Sequence, residues 1–236
     1  MKSIDAVLVG DSMGNVEYGY DNTLPVTYEQ ILDRVKVVSS TLEKIPVIAD
    51  MPFLSYGISL ESDICNCGNM LKIGGANGVK IEGGREKKEL IRRLTDLGIA
   101  VQGHIGLKPQ HFNREGGYKI AGKNEKETEE LVQDALELEK AGIFSLILEC
   151  VTEEAAKIIT ENTKVSTIGI GSGKYCDGQI SVVNDLLGLS EYIPSFTKTY
   201  VQLDSIIEKA LKQWTEDIIT GKFPEKAFHR KDEMKK

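Results

Sequence analysis

The chain has little positive charge, few cysteines and no apolar run long enough to cross a bilayer. Its 29 lysines and arginines are outnumbered by 36 aspartates and glutamates, for a formal charge of -7. That balance gives no broad basic field for phosphates and argues against non-specific nucleic-acid binding; a small anionic substrate would need a local cation. The first apolar stretch, Ala6 to Val9, is too short for a signal-peptide core or a membrane span, so the reading is a cytoplasmic protein with no membrane partner. The four cysteines, Cys65, Cys67, Cys150 and Cys176, contain no Cys-x-x-Cys pair. They lack the crowding of a secreted disulfide scaffold, and zinc would need about four convergent ligands. Cys65 and Cys67 lie two apart in a helical pattern, so their side chains diverge. Internal repeats, low-complexity segments and an interdomain linker are also missing.

What the chain does have is six short apolar runs, each finishing near a residue that can do chemistry. They are Ala6 to Asp11, Pro46 to Asp50, Val79 to Glu82, Ala100 to His104, Leu146 to Glu149 and Thr167 to Gly171. Runs this short and apolar, alternating with helical patterns, read as parallel strands buried on both faces, with ligands beyond their carboxyl ends. Thr27 and Gln30 have capping-box spacing, and Ile31, Leu32, Val35 and Val38 then mark one apolar face. Further helices are expected over 59–73, 86–97, 125–141, 152–161 and 203–220. Gly74, Gly98 and Gly142 stand where left-handed caps are needed. The segment 108–123, with Pro109, Gly116, Gly117 and Gly122, reads as a long loop. A weaker strand candidate at 195–201 makes seven strands where a (β/α)₈ barrel needs eight. The expectation is one barrel domain over 1–228 with a charged tail over 229–236.

Lys80 and Glu82 share one strand face while Val79 and Ile81 take the other. Opposite charges facing inward near a strand end point to a site, the alternative being a solvated local ion pair. Asp11 and Asp50, each singly readable as a turn or helix-capping aspartate, make with Glu82 a set of hard oxygen ligands suited to Mg²⁺. His104 is either a satisfied structural histidine or a binding or proton-transfer group. Glu149, after an apolar run, would have its proton affinity raised towards that of a general base, or else would cap the helix that follows. Gly169-Ile-Gly-Ser-Gly173 reads as a tight loop that could contact an anion, since the acidic partner of a dinucleotide fingerprint is missing, and Asp177-Gly-Gln179 as a turn.

Several strings carry a resemblance: Val9-Gly-Asp-Ser-Met-Gly14, Ala49-Asp-Met-Pro-Phe53, Gly78-Val-Lys-Ile-Glu-Gly-Gly84, Gly103-His-Ile-Gly-Leu-Lys-Pro-Gln110, Gly116-Gly-Tyr-Lys119 and Leu148-Glu-Cys-Val151. In order and content the chain resembles the ketopantoate hydroxymethyltransferase family from about Asp5 to Phe228. The resemblance implies an α/β fold, a (β/α)₈ barrel of the phosphoenolpyruvate-mutase type. It also implies transfer of a hydroxymethyl group from 5,10-methylenetetrahydrofolate to 3-methyl-2-oxobutanoate, giving 2-dehydropantoate for pantothenate and coenzyme A. Carried over by motif, Asp11, Asp50 and Glu82 would hold Mg²⁺ and Ser12 with Lys80 would bind the ketoacid, Asp11 and Asp50 also standing against it. Glu149 would accept the proton, and His104 would line the site near the transferred group. Homo-oligomers are implied as well. The chain starts where the family's second strand would begin, so the expectation is a barrel lacking its first strand and helix. The alternatives are a shortened, non-catalytic binding homologue and a related Mg²⁺-dependent ketoacid lyase.

Overall fold

In a computed structural model, residues 4–227 are described, and the expected tail over 229–236 lies outside them. The chain divides into two compact units, Met1–Ile180 and Ser181–Lys236.

The first unit alternates strands and helices: β1 Val7–Val9, α1 Met13–Val16, α2 Tyr28–Thr41, β2 Val47–Asp50, α3 Leu60–Lys72, β3 Gly78–Glu82, α4 Lys88–Asp96 and β4 Val101–Gly106. These are followed by α5 Phe112–Glu115, α6 Glu125–Ala141, β5 Ser145–Glu149, α7 Glu153–Asn162, β6 Ser166–Ile170 and β7 Gly178–Gln179. All seven strands pair in parallel, and their spatial order equals their chain order. A doubly wound sheet reverses its order at a switch point; this one never does, which is the winding of a barrel wall. Among the described residues β1 pairs only with β2 and β7 only with β6, so the sheet is open.

The period of two along each strand separates core from site. Val47, Ala49, Val79, Ile81, Val101, Leu146 and Leu148 pack against Ile31, Val35, Met70, Ile91, Leu94, Leu138 and Ile159 of the flanking helices. Each buried leucine or isoleucine there contributes about 1.5–3 kcal/mol. The alternate positions, Asp50, Lys80, Glu82, Gln102, His104 and Ser145, are also buried but polar. Parallel register sets them side by side, with Asp50 opposite Lys80, Glu82 opposite His104 and Gly106 opposite Glu149.

Three of the helix starts are fixed by side-chain caps. Thr27 and Gln30 make the reciprocal capping box, Thr27 Oγ1 accepting from Gln30 N–H at 3.2 Å and Gln30 Oε1 from Thr27 N–H at 2.8 Å. Ser59 and Asn124 cap α3 and α6 by accepting from the backbone N–H of Ser62 and Glu127, without the reciprocal bond. Gly98 and Gly142 take positive φ as expected, but after α3 it is Gly75, not Gly74, that does so, at 77°. Gly74 is small for another reason, since a Cβ there would collide with the carbonyl of Met70 and with Val35. Cys65 is exposed and Cys67 buried, as their spacing requires.

Three expectations need correction. The 195–201 segment is not a strand; its Tyr200 N–H instead donates to the carbonyl of Leu186 within the second unit. The last strand is Gly178–Gln179, read from sequence as a turn, which lies along Ile168 and Gly169. It is two residues long and has no apolar signal, and it is held in place by Asp177, whose Oδ2 accepts from Thr167 N–H at 2.8 Å. The 108–123 segment is not all loop, because Pro109–His111 forms a 3₁₀ turn continued by α5, Pro109 supplying the fixed φ a first turn needs. The second unit carries α8 Val183–Leu187 and α9 Leu203–Ile219. No helix among the described residues is long and apolar enough to cross a membrane.

Candidate active site

Six of the residues singled out from the sequence meet at the carboxyl ends of β1 to β5. Lys80 lies at the centre. Its ammonium is 2.8 Å from Asp50 Oδ1 and 3.3 Å from His104 Nδ1, with only 7% of its side chain exposed. The Asp50 contact is a close, buried ion pair. Asp50 Oδ2 accepts from the backbone N–H of Asp11 at 3.1 Å, which ties the end of β1 to β2.

A lysine ammonium can only donate, so His104 Nδ1 accepts from Lys80 and the ring proton sits on Nε2. Nε2 faces Glu149 Oε2 at 3.3 Å, near enough to share a proton though not aligned as a hydrogen bond. Burial, reinforced by the Lys80 charge, holds the His104 pKa well below its usual value, so the imidazole is neutral. Glu149 does not cap α7. That place belongs to Thr152, and the Glu149 side chain turns to the histidine instead. Gly106 makes room for this strand end. Its φ is 100°, and a Cβ there would run into the carbonyl oxygen of Glu149 and come within 2.7 Å of a Val151 methyl group.

Asp11, Asp50, Glu82 and Glu149 surround the Lys80 ammonium, and burial together with neighbouring negative charge raises the proton affinities of Asp11, Glu82 and Glu149. Desolvation, with the Asp50 charge, raises Asp11 to about 8, Lys80 partly opposing it. Desolvation also raises Glu82 to about 9, again against Lys80 and with help from Asp11 and Asp50. Glu149 rises to about 7 through burial. Burial alone would lower Lys80, but Asp50, Asp11 and Glu82 more than reverse it, so the lysine stays charged.

Hard carboxylate oxygens in excess over cations suit a divalent ion such as Mg²⁺ in donor type. They do not stand as a ready cage: among the described residues no three His, Cys, Asp or Glu side chains converge at ligating distance. Ser12 follows Asp11 at the first turn of α1, half-buried and making no side-chain cap. The glycine-rich turn after β6 is as tight as expected, with Gly171 and Gly173 at φ 65° and 74°. Its Ser172 is structural, donating to the Leu148 carbonyl at 2.7 Å and accepting from Val151 N–H at 3.0 Å.

Three residues of the site escaped sequence reasoning. Gln110 and Tyr56 are buried among the carboxylates and bonded to each other at 2.8 Å. Tyr118 stacks edge-on against Phe112 at 5.0 Å, and its hydroxyl pKa is raised by partial burial and by the charges of Glu149, Asp11 and Glu82. None is a carboxylate, lysine or histidine closing an apolar run, so the sequence pattern does not mark them.

The residues at these strand ends lie within a sequence whose positions 1–226 match the family model described as ketopantoate hydroxymethyltransferase. The chain belongs to that family. A 3-methyl-2-oxobutanoate hydroxymethyltransferase of Thermotoga neapolitana is 53% identical over 222 residues, 94% of this chain and 82% of the relative. Solved structures add the fold. A putative phosphonomutase from Burkholderia cenocepacia superposes with a TM-score of 0.61 at 13% identity, covering 89% of this chain and 86% of that one. 2,3-Dimethylmalate lyase, a PEP mutase/isocitrate lyase superfamily member, gives 0.50 at 14% identity, covering 98% and 80%. These two likenesses show the fold of this hydroxymethyltransferase family member, an α/β architecture whose barrel wall is incomplete among the described residues.

Proposed function

We propose that the protein transfers a hydroxymethyl group from 5,10-methylenetetrahydrofolate to 3-methyl-2-oxobutanoate, giving 2-dehydropantoate. Family membership supports this reading, and one observation carries it into chemistry: a partly exposed carboxylate, Glu149, with its pKa near 7, faces a buried Lys80 ammonium across His104.

Glu149 removes the C3 proton of the ketoacid. With a pKa near the working pH it is both ionised enough to accept and basic enough to hold the proton. His104, neutral with its Nε2 proton towards Glu149, keeps that carboxylate oriented and lines the wall where the new carbon arrives. Removing the proton puts negative charge on the C2 oxygen. Lys80, fixed by Asp50 and charged throughout, supplies a positive potential where that charge develops, and does so in a buried site where it is little screened. Ser12 and Lys80 bind the ketoacid, with Asp11 and Asp50 beside it.

Asp11, Asp50 and Glu82 would hold Mg²⁺, which when bound supplies Lewis-acid charge stabilisation at the carbonyl. The methylene carbon delivered by the folate gains one bond to the enolate carbon and one to a water oxygen as both of its C–N bonds break, and tetrahydrofolate leaves with the C3 proton and one water proton on its two nitrogens. For this step the protein's task is orientation and exclusion of bulk solvent. The working form is a homo-oligomer.

The reading is tested by incubating the purified chain with 3-methyl-2-oxobutanoate, 5,10-methylenetetrahydrofolate and Mg²⁺. The expected result is 2-dehydropantoate in step with tetrahydrofolate release. No product from a folded protein, or release of tetrahydrofolate without the ketoacid, overturns it.

A further inference from the structure

Gln110 touches more of the site than any acid in it. It sits in the 3₁₀ turn after β4 and is 5% exposed. Its side-chain Nε2 donates to Asp11 Oδ2 at 3.1 Å and to the Met51 carbonyl at 2.9 Å, while its backbone N–H donates to Glu82 Oε1 at 3.3 Å. A carbonyl can only accept, so Met51 fixes which end of the amide faces the carboxylates. The other end, Oε1, accepts from the Tyr56 hydroxyl at 2.8 Å, and that hydroxyl accepts in turn from Glu82 N–H at 3.3 Å. Both amide protons and the amide oxygen are therefore committed, and the residue ties the ends of β1, β2 and β3 together.

We propose that Gln110 is the positioning residue of the carboxylate cluster: by holding Asp11 Oδ2 through its side-chain amide it reserves Asp11 Oδ1 for a divalent cation, while its backbone N–H, which a substitution keeps, fixes Glu82 Oε1. This rests on the reading above that these carboxylates hold such a cation. Outer hydrogen bonds of this kind orient metal ligands and typically govern about 10–100-fold in metal affinity. A glutamine that only filled space would be replaced by methionine, of similar length and volume, without that loss.

The test is Mn²⁺ binding to the purified full-length chain without substrate, following free Mn²⁺ by electron paramagnetic resonance. Gln110→Met should weaken binding about 10–100-fold, with the circular dichroism spectrum and melting transition retained. Tyr56→Phe, which frees the far end of the amide and the Glu82 N–H but leaves the Asp11 contact in place, should weaken it less. In C3 proton exchange on the ketoacid, the variant's half-saturating Mn²⁺ should rise by the same factor, while kcat recovers at saturating metal. Wild-type affinity in Gln110→Met overturns the proposal. If that variant does not fold, unchanged affinity in Tyr56→Phe overturns it instead. If the wild-type chain binds no Mn²⁺, the cation site itself falls and the proposal with it; normal wild-type binding with unaltered variants removes only the role of Gln110.

Discussion

Replacing Lys80 with methionine removes the only ammonium among four buried or half-buried carboxylates and keeps most of the side-chain volume. At the 2.8 Å separation from Asp50, an effective dielectric of about 20 gives an attraction of about 6 kcal/mol, and the cost of desolvating the lysine offsets part of it. Removing one partner of a buried pair typically costs about 3–5 kcal/mol. In a unit of this size 1 kcal/mol moves Tm by about 2–4 °C, so a fall of about 6–20 °C is expected. The loss should also depend on pH. Without the lysine, the carboxylates must take up protons to stay buried, and the cost of doing so grows as pH rises above their unfolded values near 4. Thermal melts by circular dichroism in EDTA at pH 5 and pH 8 should therefore show the larger deficit at pH 8. Arg34→Met, which breaks the half-exposed pair with Glu17, is the control and should cost less than about 1 kcal/mol. A deficit below about 2 °C at pH 8, or one equal at both pH values, would refute the electrostatic account of the site.

Three further outcomes are expected. Glu149→Gln should lower C3 proton exchange by about 10²–10⁴-fold while leaving Tm unchanged or higher, since it removes a costly buried charge; exchange within tenfold of wild type would exclude Glu149 as the base. Gly106→Ala should lower Tm by the equivalent of about 1–3 kcal/mol of overpacking and depress kcat, because the new Cβ displaces the Glu149 backbone and needs a positive φ; a wild-type melting curve and kcat would contradict that geometry. The metal-depleted protein should lose stability from pH 7 to pH 9, where Asp11 and Glu82, raised to about 8 and 9 when folded, release protons that the unfolded chain has already lost. Mg²⁺ should raise Tm more at pH 9 than at pH 7, and a flat profile by differential scanning calorimetry would count against it.

The parts of this fold that were legible in the sequence are those where one residue decides. Asp50, Glu82, His104 and Glu149 end apolar runs, and the period of two along the strand places Lys80 with Glu82. The capping box at Thr27 and the helix over 125–141 follow from local chemistry and appear as expected. What was not legible depends on partners distant in the chain. β7 is a strand only because β6 offers it a ladder and Asp177 holds its start; nothing in Gly178-Gln179 is β-like by itself. The strand-like sequence at 195–201, with its aromatic and β-branched residues, is bonded back to α8 instead. Gln110 was invisible as a site residue because an amide signals chemistry only through what it touches, and it touches Asp11, 99 positions away. The carboxylates read as metal ligands are turned to Lys80 and Gln110, and among the described residues no three such side chains converge at ligating distance.

The central claim is that this cluster enolises a ketoacid, and proton NMR of 3-methyl-2-oxobutanoate in D₂O tests it most directly. With the protein and Mg²⁺, but without folate, the C3 proton signal should disappear at a rate proportional to enzyme, and Glu149→Gln should abolish the loss. Retention of that signal by a folded wild-type protein in the presence of metal would contradict the account.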